Sequence, residues 1–513
     1  MLVRPHLTGK NLYFIVLPLI ALIGFGAWFL LNSGSAGDPN ELPEVVDYNY
    51  HIRPILSDRC YKCHGPDAHK READLRLDTE EGAYKALKDD PKGHVIVAGD
   101  PLQSDLFLRV SATDTSYLMP PPSSNLALTP YEVKLIEKWI KQGAKYKKHW
   151  AFIVPTKPEL PKVGKGSWPK NEIDRFTLAA MEKQGFKPSD EADKERLLKR
   201  VSLDITGLPP SMELQEKFLK DESDDAYEKI VDELLKSDHY GEKMAASWLD
   251  VARYADSHGY QDDGLRTMWP WRDWVIHAFN QNYSYKQFVQ WQLAGDLMDN
   301  PTLEQILATG FNRNHKITQE GGVISEEYRI EYVTDRTNSF GKAFLALTFE
   351  CAKCHDHKYD PISQKDYYST FAFFNQVEEK GFVGDIGLLS LGDPPVMKIS
   401  TRQVDSVLSF INKKDTAAVT VMVMKDTPCV RVTQVLKRGA YDQPSDTVDF
   451  ATPASILKFD PKKFPANRLG LAEWLFSKDN PLTARVYVNR IWQQFFGRGI
   501  VRTAGDFGMQ GEL

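Results

Sequence analysis

The chain has 513 residues, 42% of them hydrophobic, which is enough for about two to four domains with sizeable apolar cores. Its formal net charge is −6 at pH 7, a bias too small to indicate a charged partner. The sequence contains no continuous basic stretch, which argues against a nucleic-acid-binding protein.

An uncharged apolar run occupies residues 12–31, after Arg4, His6 and Lys10. At a rise of about 1.5 Å per residue a helix of this length crosses a bilayer, so residues 1–36 are predicted to be a membrane anchor. The alternative is a cleaved secretory signal, because the small residues 33–37 offer a cleavage point. Either segment keeps the basic flank inside and exports the remainder. We expect a single-pass inner-membrane protein with its bulk in the periplasm, or a secreted one.

Four of the five cysteines fall in two Cys-x-x-Cys-His stretches. The residues concerned are Cys60, Cys63 and His64 in the first stretch and Cys351, Cys354 and His355 in the second. Two thiols three residues apart lie on one turn of helix and form thioethers to porphyrin vinyl groups, while the adjacent histidine ligates the iron. The pattern predicts two covalent haem c groups, each attached through its two cysteines and ligated by its histidine.

Other chemistry also uses paired cysteines. One Cys-x-x-Cys pair alone fits a redox dithiol or half of a zinc site. The four cysteines pooled into one zinc site would leave both trailing histidines unexplained, and the two pairs lie far apart in the chain. Cys429 is left over and is expected to be a buried, inert thiol.

Met119 is the candidate sixth ligand of the first haem. It lies in Tyr117-Leu118-Met119-Pro120-Pro121, where the prolines fix φ and hold the loop extended. A thioether opposite an imidazole raises the reduction potential and fills the sixth site, which suits electron transfer more than oxygen chemistry. The alternative is a core methionine.

The second motif offers no obvious sixth ligand. His357 lies two residues past His355, a span of at most about 7 Å, so it cannot reach the opposite face of the ring. It is expected to orient a propionate or an aspartate, or to be a solvated loop histidine. An open sixth site is also possible and would favour a redox enzyme. The remaining candidate ligands are His258, His277, His315 and Met397.

The pattern divides the chain into sections. After residues 1–36 we predict a cytochrome c domain at 45–148, a linker at 149–170, a helical domain with the second motif at 171–380, and a partial C-terminal domain at 381–513. Apolar residues at helical spacing predict helices over 130–142, 226–237, 242–256, 271–282, 285–297, 326–348, 469–477 and 483–496. Two β-branched runs, 419–424 and 430–436, predict a two-stranded element. On the helix over 326–348, Glu327, Glu331 and Asp335 share one face, which we expect to be solvated.

The stretch from His51 through Cys63-His64-Gly65-Pro66 to Met119-Pro120-Pro121 resembles the planctomycete-type cytochrome c domain. The resemblance implies a class I cytochrome c fold with His64 and Met119 as iron ligands. It leaves the role of the rest of the chain open.

The later part of the chain resembles two further domains. Segments 248–257, 271–275, 292–297, 320–322, 326–329 and 354–357 resemble the helical domain of unknown function that follows this cytochrome module. Segments 394–395, 436–439 and 480–508 resemble the first part of its companion domain, also functionally undefined. The fold class implied is mainly α: a class I cytochrome c-like domain, a larger helical domain and an incomplete α+β C-terminal domain.

These observations predict an exported, membrane-anchored c-type cytochrome with two haems that transfers single electrons. Its expected partners are a redox partner protein or a quinone-linked chain, and the inner membrane, but no nucleic acid. One alternative is a haem-dependent periplasmic oxidoreductase, peroxidase-like or acting on an organic substrate, with the N-terminal cytochrome as electron relay. Another alternative is a surface-polymer binding or scaffold protein.

Overall fold

The computed structural model describes residues 42–68, 70–86, 93–164, 166, 168–383, 391–411 and 419–512. These residues are mainly α-helical, with two small antiparallel sheets in the C-terminal part. The predicted mainly α fold class, with a small strand region near the C-terminus, is therefore confirmed.

The helices and strands follow one another along the described segments. The α-helices are α1 (Arg53–Arg59), α2 (Tyr61–His64), α3 (Glu80–Ala83), α4 (Asp105–Val110), α5 (Pro130–Lys141), α6 (Glu172–Lys183), α7 (Lys194–Thr206), α8 (Met212–Lys220), α9 (Ala226–Leu235), α10 (Asp238–Ala252), α11 (Trp269–Asn280), α12 (Tyr285–Ala294), α13 (Leu303–Ala308), α14 (Ser325–Phe340), α15 (Gln364–Phe374), α16 (Thr401–Ser406), α17 (Arg468–Leu475) and α18 (Thr483–Phe496). The strands are β1 (Val396–Ile399), β2 (Val419–Met422), β3 (Thr433–Leu436) and β4 (Pro444–Val448).

Contacts within the chain divide it into two units. The first unit holds the described residues up to Ile55 together with Ala83–Tyr146. The second unit holds Leu56–Gly82 and the described residues from Lys147 onward. Both Cys-x-x-Cys-His motifs belong to the second unit, and Met119 belongs to the first.

Helix α5 supplies much of the core of the first unit. It begins with a capping box, in which the Thr129 hydroxyl accepts a hydrogen bond from the Glu132 amide and the Glu132 carboxylate accepts one from the Thr129 amide. The apolar face of the helix is buried, and its Trp139 ring lies 5.7 Å from the Tyr48 ring and 5.4 Å from the Tyr146 ring. The helix predicted over 130–142 is therefore present.

The second unit contains a large aromatic core and a smaller satellite core. In the large core, Trp248 contacts Phe288 and Phe311, with ring centroids 5.1 and 5.7 Å apart. The indole of the buried Trp271 donates to the Ala308 carbonyl at 3.0 Å, which joins α11 to the end of α13. Helices α7, α8 and α9 enclose the satellite core, in which Phe218 is 2% exposed.

The two β-branched runs each form a strand, but they do not pair with each other. The prediction that they form one two-stranded element is therefore wrong. Strand β2 pairs antiparallel with β1, with Met397 opposite Val421. Strand β3 pairs antiparallel with β4, with Thr433 opposite Val448. The β4 segment has polar residues and an N-terminal proline, so its sequence gave no strand signal, and its pairing is decided by tertiary context.

The first residues of the predicted linker lie in the core of the second unit. Ala151 and Phe152 are buried, and the Arg485 guanidinium donates to the Trp150 and Ile153 carbonyls at 3.0 and 2.5 Å. The described residues between 154 and 170 form neither helix nor strand.

The sequence predicts a membrane anchor, and this prediction is corrected by the structure. Among the residues that the structure describes, no helix is long and apolar enough to cross a membrane. The longest α-helix there, α14, has 16 residues and carries several charges, whereas a span needs about 20 mainly apolar residues. The run 12–31 lies outside the described residues. The inner-membrane location, and the membrane as a partner, are corrected accordingly.

Candidate functional site

The first Cys-x-x-Cys-His motif forms a single compact helical turn. Cys60 precedes helix α2, and its carbonyl accepts hydrogen bonds from the Cys63 amide at 3.1 Å and the His64 amide at 2.8 Å. The Cys60 amide continues the preceding helix by donating to the Leu56 carbonyl at 2.8 Å. The backbone therefore holds both thiols and the imidazole in one short turn, as the spacing predicts.

The loop that follows returns to this turn and fixes it. The Glu72 amide donates to the Cys63 carbonyl at 2.8 Å, and the Leu77 amide donates to the His64 carbonyl at 2.9 Å. The Arg71 side chain also donates to the Gly65 carbonyl at 3.2 Å through Nε. These bonds satisfy carbonyl groups that the end of a short helix would leave open. Arg71 is a supporting residue that the sequence pattern did not single out.

The chemistry of this turn fits covalent haem c. Cys60 is buried, whereas Cys63 and His64 are partly exposed, so the side chains of the motif lie between the core and the surface. The cysteines of the described chain are not joined in disulfides. Two thiols and a neighbouring imidazole on one turn are the donor set that a c-type haem requires.

Met119 lies in a loop of the first unit that is tied to helix α4. Its amide donates to the Arg109 carbonyl at 3.1 Å. The Arg109 guanidinium lies 4.5 Å from the centre of the Tyr117 ring, and Asp105 accepts hydrogen bonds from both of these side chains at 2.6 Å. The thioether is thus carried by an anchored loop, and its role as an iron ligand stays a prediction.

The second motif lies on the surface of the second unit. A 3₁₀ turn spans Glu350–Lys353, and the Cys354 amide donates to the Cys351 carbonyl at 3.4 Å. Cys351, Cys354 and His355 are exposed, and partial desolvation of the Cys351 thiol together with the nearby Glu350 carboxylate raises its pKa. The two thiols and the imidazole are therefore open to solvent on one side.

A C-terminal segment covers the other side of the second motif. The Cys354 thiol donates to the Arg438 carbonyl at 3.2 Å, and a Cβ atom at Gly439 would lie 3.1 Å from the Cys354 Sγ. The Gln364 side chain joins the two parts, because its Nε2 donates to the Lys353 and Leu436 carbonyls at 3.0 and 3.2 Å. The motif is thus completed by residues 436–439, a contact that no local pattern predicts.

His357 is neither a solvated loop histidine nor an exposed ligand. It is fully buried, and its Nδ1 accepts hydrogen bonds from the Asp360 and Tyr359 amides at 2.9 and 3.3 Å. Burial lowers the pKa of His357 to about 4, with a smaller effect from His355. The ring is therefore neutral, with its proton on Nε2, and it shapes the loop that follows the motif.

The distant candidates for a sixth ligand have other roles in the fold. Both ring nitrogens of His315 are occupied, Nδ1 at 2.8 Å from the Lys316 carbonyl and Nε2 at 2.9 Å from the Arg336 guanidinium. The His277 ring stacks on Phe410 at 4.3 Å. His258 is fully buried, and Met397 belongs to strand β1. No hydrogen bond of the second motif leads to these groups within the described segments.

The predicted acidic face of α14 is ion-paired rather than simply solvated. Glu331 accepts a hydrogen bond at 2.6 Å from Lys353, which stands between the two cysteines of the second motif. Asp335 lies 2.9 Å from the Arg253 guanidinium, and burial raises the pKa of this aspartate. The expectation of a solvated face holds for Glu327, which is exposed, and in part for Glu331, whose side chain is 45% exposed. Long-range packing supplies these cations, so helical periodicity could not identify them.

Two other cysteine interpretations are resolved by the fold. Cys429 is exposed rather than buried, because it lies in the loop between β2 and β3. Among the described residues, no group of three or more histidine, cysteine or carboxylate side chains is arranged to hold a metal ion. The pooled four-cysteine zinc site therefore has no geometric support.

Three family descriptions match the chain in sequence order. Residues 60–123 match Planctomycete cytochrome C, residues 172–379 match a protein of unknown function (DUF1549), and residues 467–513 match a protein of unknown function (DUF1553). The first match spans Cys60 to Met119, and the second includes both cysteines of the second motif. No curated protein and no solved structure matches the chain. The chain therefore combines a planctomycete cytochrome C segment with a DUF1549 segment and a DUF1553 segment, in the order that the sequence resemblance predicted.

Proposed function

We propose that this chain is a c-type cytochrome with two haems that transfers one electron at a time. The observation that carries the proposal is the first motif, in which Cys60, Cys63 and His64 share one hydrogen-bonded turn. The cytochrome match over residues 60–123 supports haem attachment there. When bound, haem c supplies a one-electron Fe(III)/Fe(II) couple.

The second haem is proposed at the second motif. Cys351, Cys354 and His355 repeat the donor set, and all three are exposed. The turn is anchored by Tyr368, whose hydroxyl donates to the Lys353 carbonyl at 3.0 Å. The thiols therefore lie on a supported turn that a porphyrin edge can approach from solvent. Attachment requires Cys354 to give up its weak hydrogen bond to the Arg438 carbonyl.

Optical redox titration of the full chain, matured with haem, tests this function. Two reversible one-electron transitions are expected in the wild-type protein. The double variant Cys351→Ser/Cys354→Ser should retain only one transition, and Cys60→Ser/Cys63→Ser should retain only the other. Cys429→Ser is the matched control, since this exposed thiol lies outside both motifs, and it should retain both. Failure of the wild-type protein to show any reversible transition would contradict an electron-transfer role.

A haem oxidoreductase is a second candidate, and a specific observation favours it. The His315 imidazole is engaged at both nitrogens, and His357 is held inside its own loop, so neither is available as a sixth ligand of an iron bound by His355. An open sixth site admits small molecules. Carbon monoxide should then bind the reduced haem of the Cys60→Ser/Cys63→Ser variant. A low-spin spectrum unchanged by carbon monoxide would remove this candidate and leave electron transfer.

A further inference from the structure

A polar pocket lies in the second unit, between the start of α14, the chain that follows α15, and the segment before β3. Its volume is about 480 Å³. Three basic side chains line it, Arg329, Lys380 and Arg431, along with the carboxylates of Glu326 and Glu379. Such a lining does not suit an apolar ligand, because burial of these groups without polar partners is costly.

Glu379 forms its ion pairs with two arginines behind the pocket wall, and it acts at longer range on Arg329 and Arg431. Glu379 is buried, and its carboxylate accepts hydrogen bonds at 2.5 Å from the guanidinium groups of Arg313 and Arg336, which are also buried and stand behind the wall. The two buried arginines thus share this carboxylate, and Asp393 also acts on Arg313, so their charges are balanced behind the wall. The pKa of Glu379 is lowered by these two arginines, so the carboxylate stays ionised.

Arg329 is held rigidly by its neighbours. Its Nε and one terminal nitrogen donate to the two oxygens of Glu326 at 2.8 and 2.7 Å, and its other terminal nitrogen donates to the Asn375 side-chain oxygen at 2.7 Å. The Asn375 side chain is fixed in turn, because its Nδ2 donates to the Thr433 hydroxyl at 2.9 Å. A guanidinium fixed in this way loses little conformational entropy when a ligand binds.

Arg431 and Lys380 are the basic residues of the pocket that form no hydrogen bond with a carboxylate of the described residues. The Arg431 guanidinium donates to the carbonyls of Asn375 and Val377 at 3.1 and 2.5 Å, which are neutral acceptors. Burial and the nearby Arg329 lower the pKa of Arg431, while Glu379, Glu326 and Glu378 act in the opposite direction. Lys380 is exposed at the rim. The pocket as a whole therefore favours a negatively charged guest.

We propose that this pocket binds an oxyanion, as the carboxylate or sulfate group of a small polar organic molecule, and that Arg431 and Lys380 are its main ligands. Arginine binds such groups with paired, charge-assisted hydrogen bonds, and lysine adds a mobile point charge. The pocket volume of about 480 Å³ lies within the range of about 300–1,000 Å³ that is common for ligand pockets. The pocket can therefore hold more of the ligand than its anionic group. This binding activity is separate from the proposed electron transfer.

Calorimetric titration of the full chain tests the proposal, with sodium sulfate and sodium galacturonate as probes against sodium chloride of equal ionic strength. Lys380→Gln should weaken binding about tenfold, the loss expected for one charge-assisted contact. Arg431→Gln should weaken it at least as much. Lys425→Gln is the matched control, since Lys425 is an exposed lysine paired at 2.8 Å with Glu378 outside the pocket lining, and it should bind as wild type does.

The variants also distinguish binding in the pocket from nonspecific attraction of anions to the positive charges of the protein. Lys380 is exposed at the rim, so its substitution leaves the protein folded even if Arg431→Gln unfolds it. The proposal is overturned if neither probe binds above chloride, if Lys380→Gln binds as tightly as wild type, or if Lys425→Gln weakens binding equally.

Discussion

Gly65 lies directly against Tyr61 at the end of the first haem-binding turn, and a Cβ atom at position 65 would lie 2.4 Å from the Tyr61 carbonyl oxygen. The backbone at Gly65 has φ −112°, so the requirement for glycine is one of space rather than of a left-handed conformation. This close approach allows the loop to turn back at once and bond to Cys63 and His64.

Gly65→Ala should therefore open the turn. We expect a loss of about 1–3 kcal/mol in stability, the range seen when a packed site is overfilled, together with lower haem attachment at Cys60 and Cys63. Haem absorbance per polypeptide and thermal unfolding measure the two effects. Gly505→Ala is the control, because a Cβ atom there meets nothing within 4 Å. Equal behaviour of the two variants would contradict the packing argument.

Met119→Ala tests the predicted sixth ligand of the first haem. The substitution should abolish the weak band near the red edge of the visible spectrum that marks thioether–ferric iron ligation, and should lower the reduction potential. Met212→Ala is a suitable control, since that side chain is 72% exposed. An unchanged spectrum of Met119→Ala would leave Met119 as a packing residue.

Asp393 makes stability depend on pH. Its side chain is 3% exposed, and burial raises its pKa to about 6, opposed by Arg313 and reinforced by Glu379. Because this folded-state value is above the unfolded value of about 3.9, the folded state binds the extra proton. The contribution of the protonated Asp393 to the free energy of unfolding is complete below about pH 4. It falls as the pH rises and is lost above about pH 6.

Asp393→Asn removes this dependence. At pH 7 to 8 the variant should be more stable than wild type by on the order of 2 kcal/mol, and the difference should shrink toward zero near pH 4. Urea unfolding at several pH values measures it, with Asp446→Asn as the control for an exposed carboxylate. A difference that stays constant with pH would show that Asp393 does not titrate in this window.

Arg468 joins the segment that matches DUF1553 to the segment that matches DUF1549. Its side chain is fully buried and donates to both carboxylate oxygens of Asp296 at 2.9 and 2.6 Å and to Asp426 at 2.9 Å. Arg468→Met leaves two carboxylates without their cation, so we expect the free energy of unfolding to fall by about 3–5 kcal/mol. Arg502→Met removes an exposed pair with Glu512 and should cost at most about 1 kcal/mol. Similar unfolding midpoints for the two variants would contradict a joined unit.

Local sequence signals predicted much of the fold. Helix α18 has both of the bounds that apolar spacing gave, and α5 begins at Pro130, the first residue of the predicted helix over 130–142. The long helix over 326–348 was predicted too long. Helix α14 ends at Phe340, a π-helical turn follows over Gly341–Leu345, and Ala346 then takes a left-handed conformation with φ 47°, none of which periodicity reveals.

The candidate sites also combine features that local spacing predicts with features that depend on long-range packing. The positions of Cys60, Cys63 and His64 on one turn follow from their spacing alone, since neighbours in a helix are set by the backbone. The cover of Cys354 by Arg438 and the pairing of Lys353 with Glu331 depend on packing between distant segments. The pocket with Arg431 was missed for the same reason, because its basic residues come from three separate parts of the chain.

The number of covalent haems is the most direct test of the proposed function. Intact mass measured in denaturant, on the full chain matured with haem, should exceed the polypeptide mass by two haem groups. Cys351→Ser/Cys354→Ser should then exceed its polypeptide mass by one. A wild-type protein that carries one haem, with Cys351 and Cys354 still reactive toward a thiol reagent, would contradict the two-haem account.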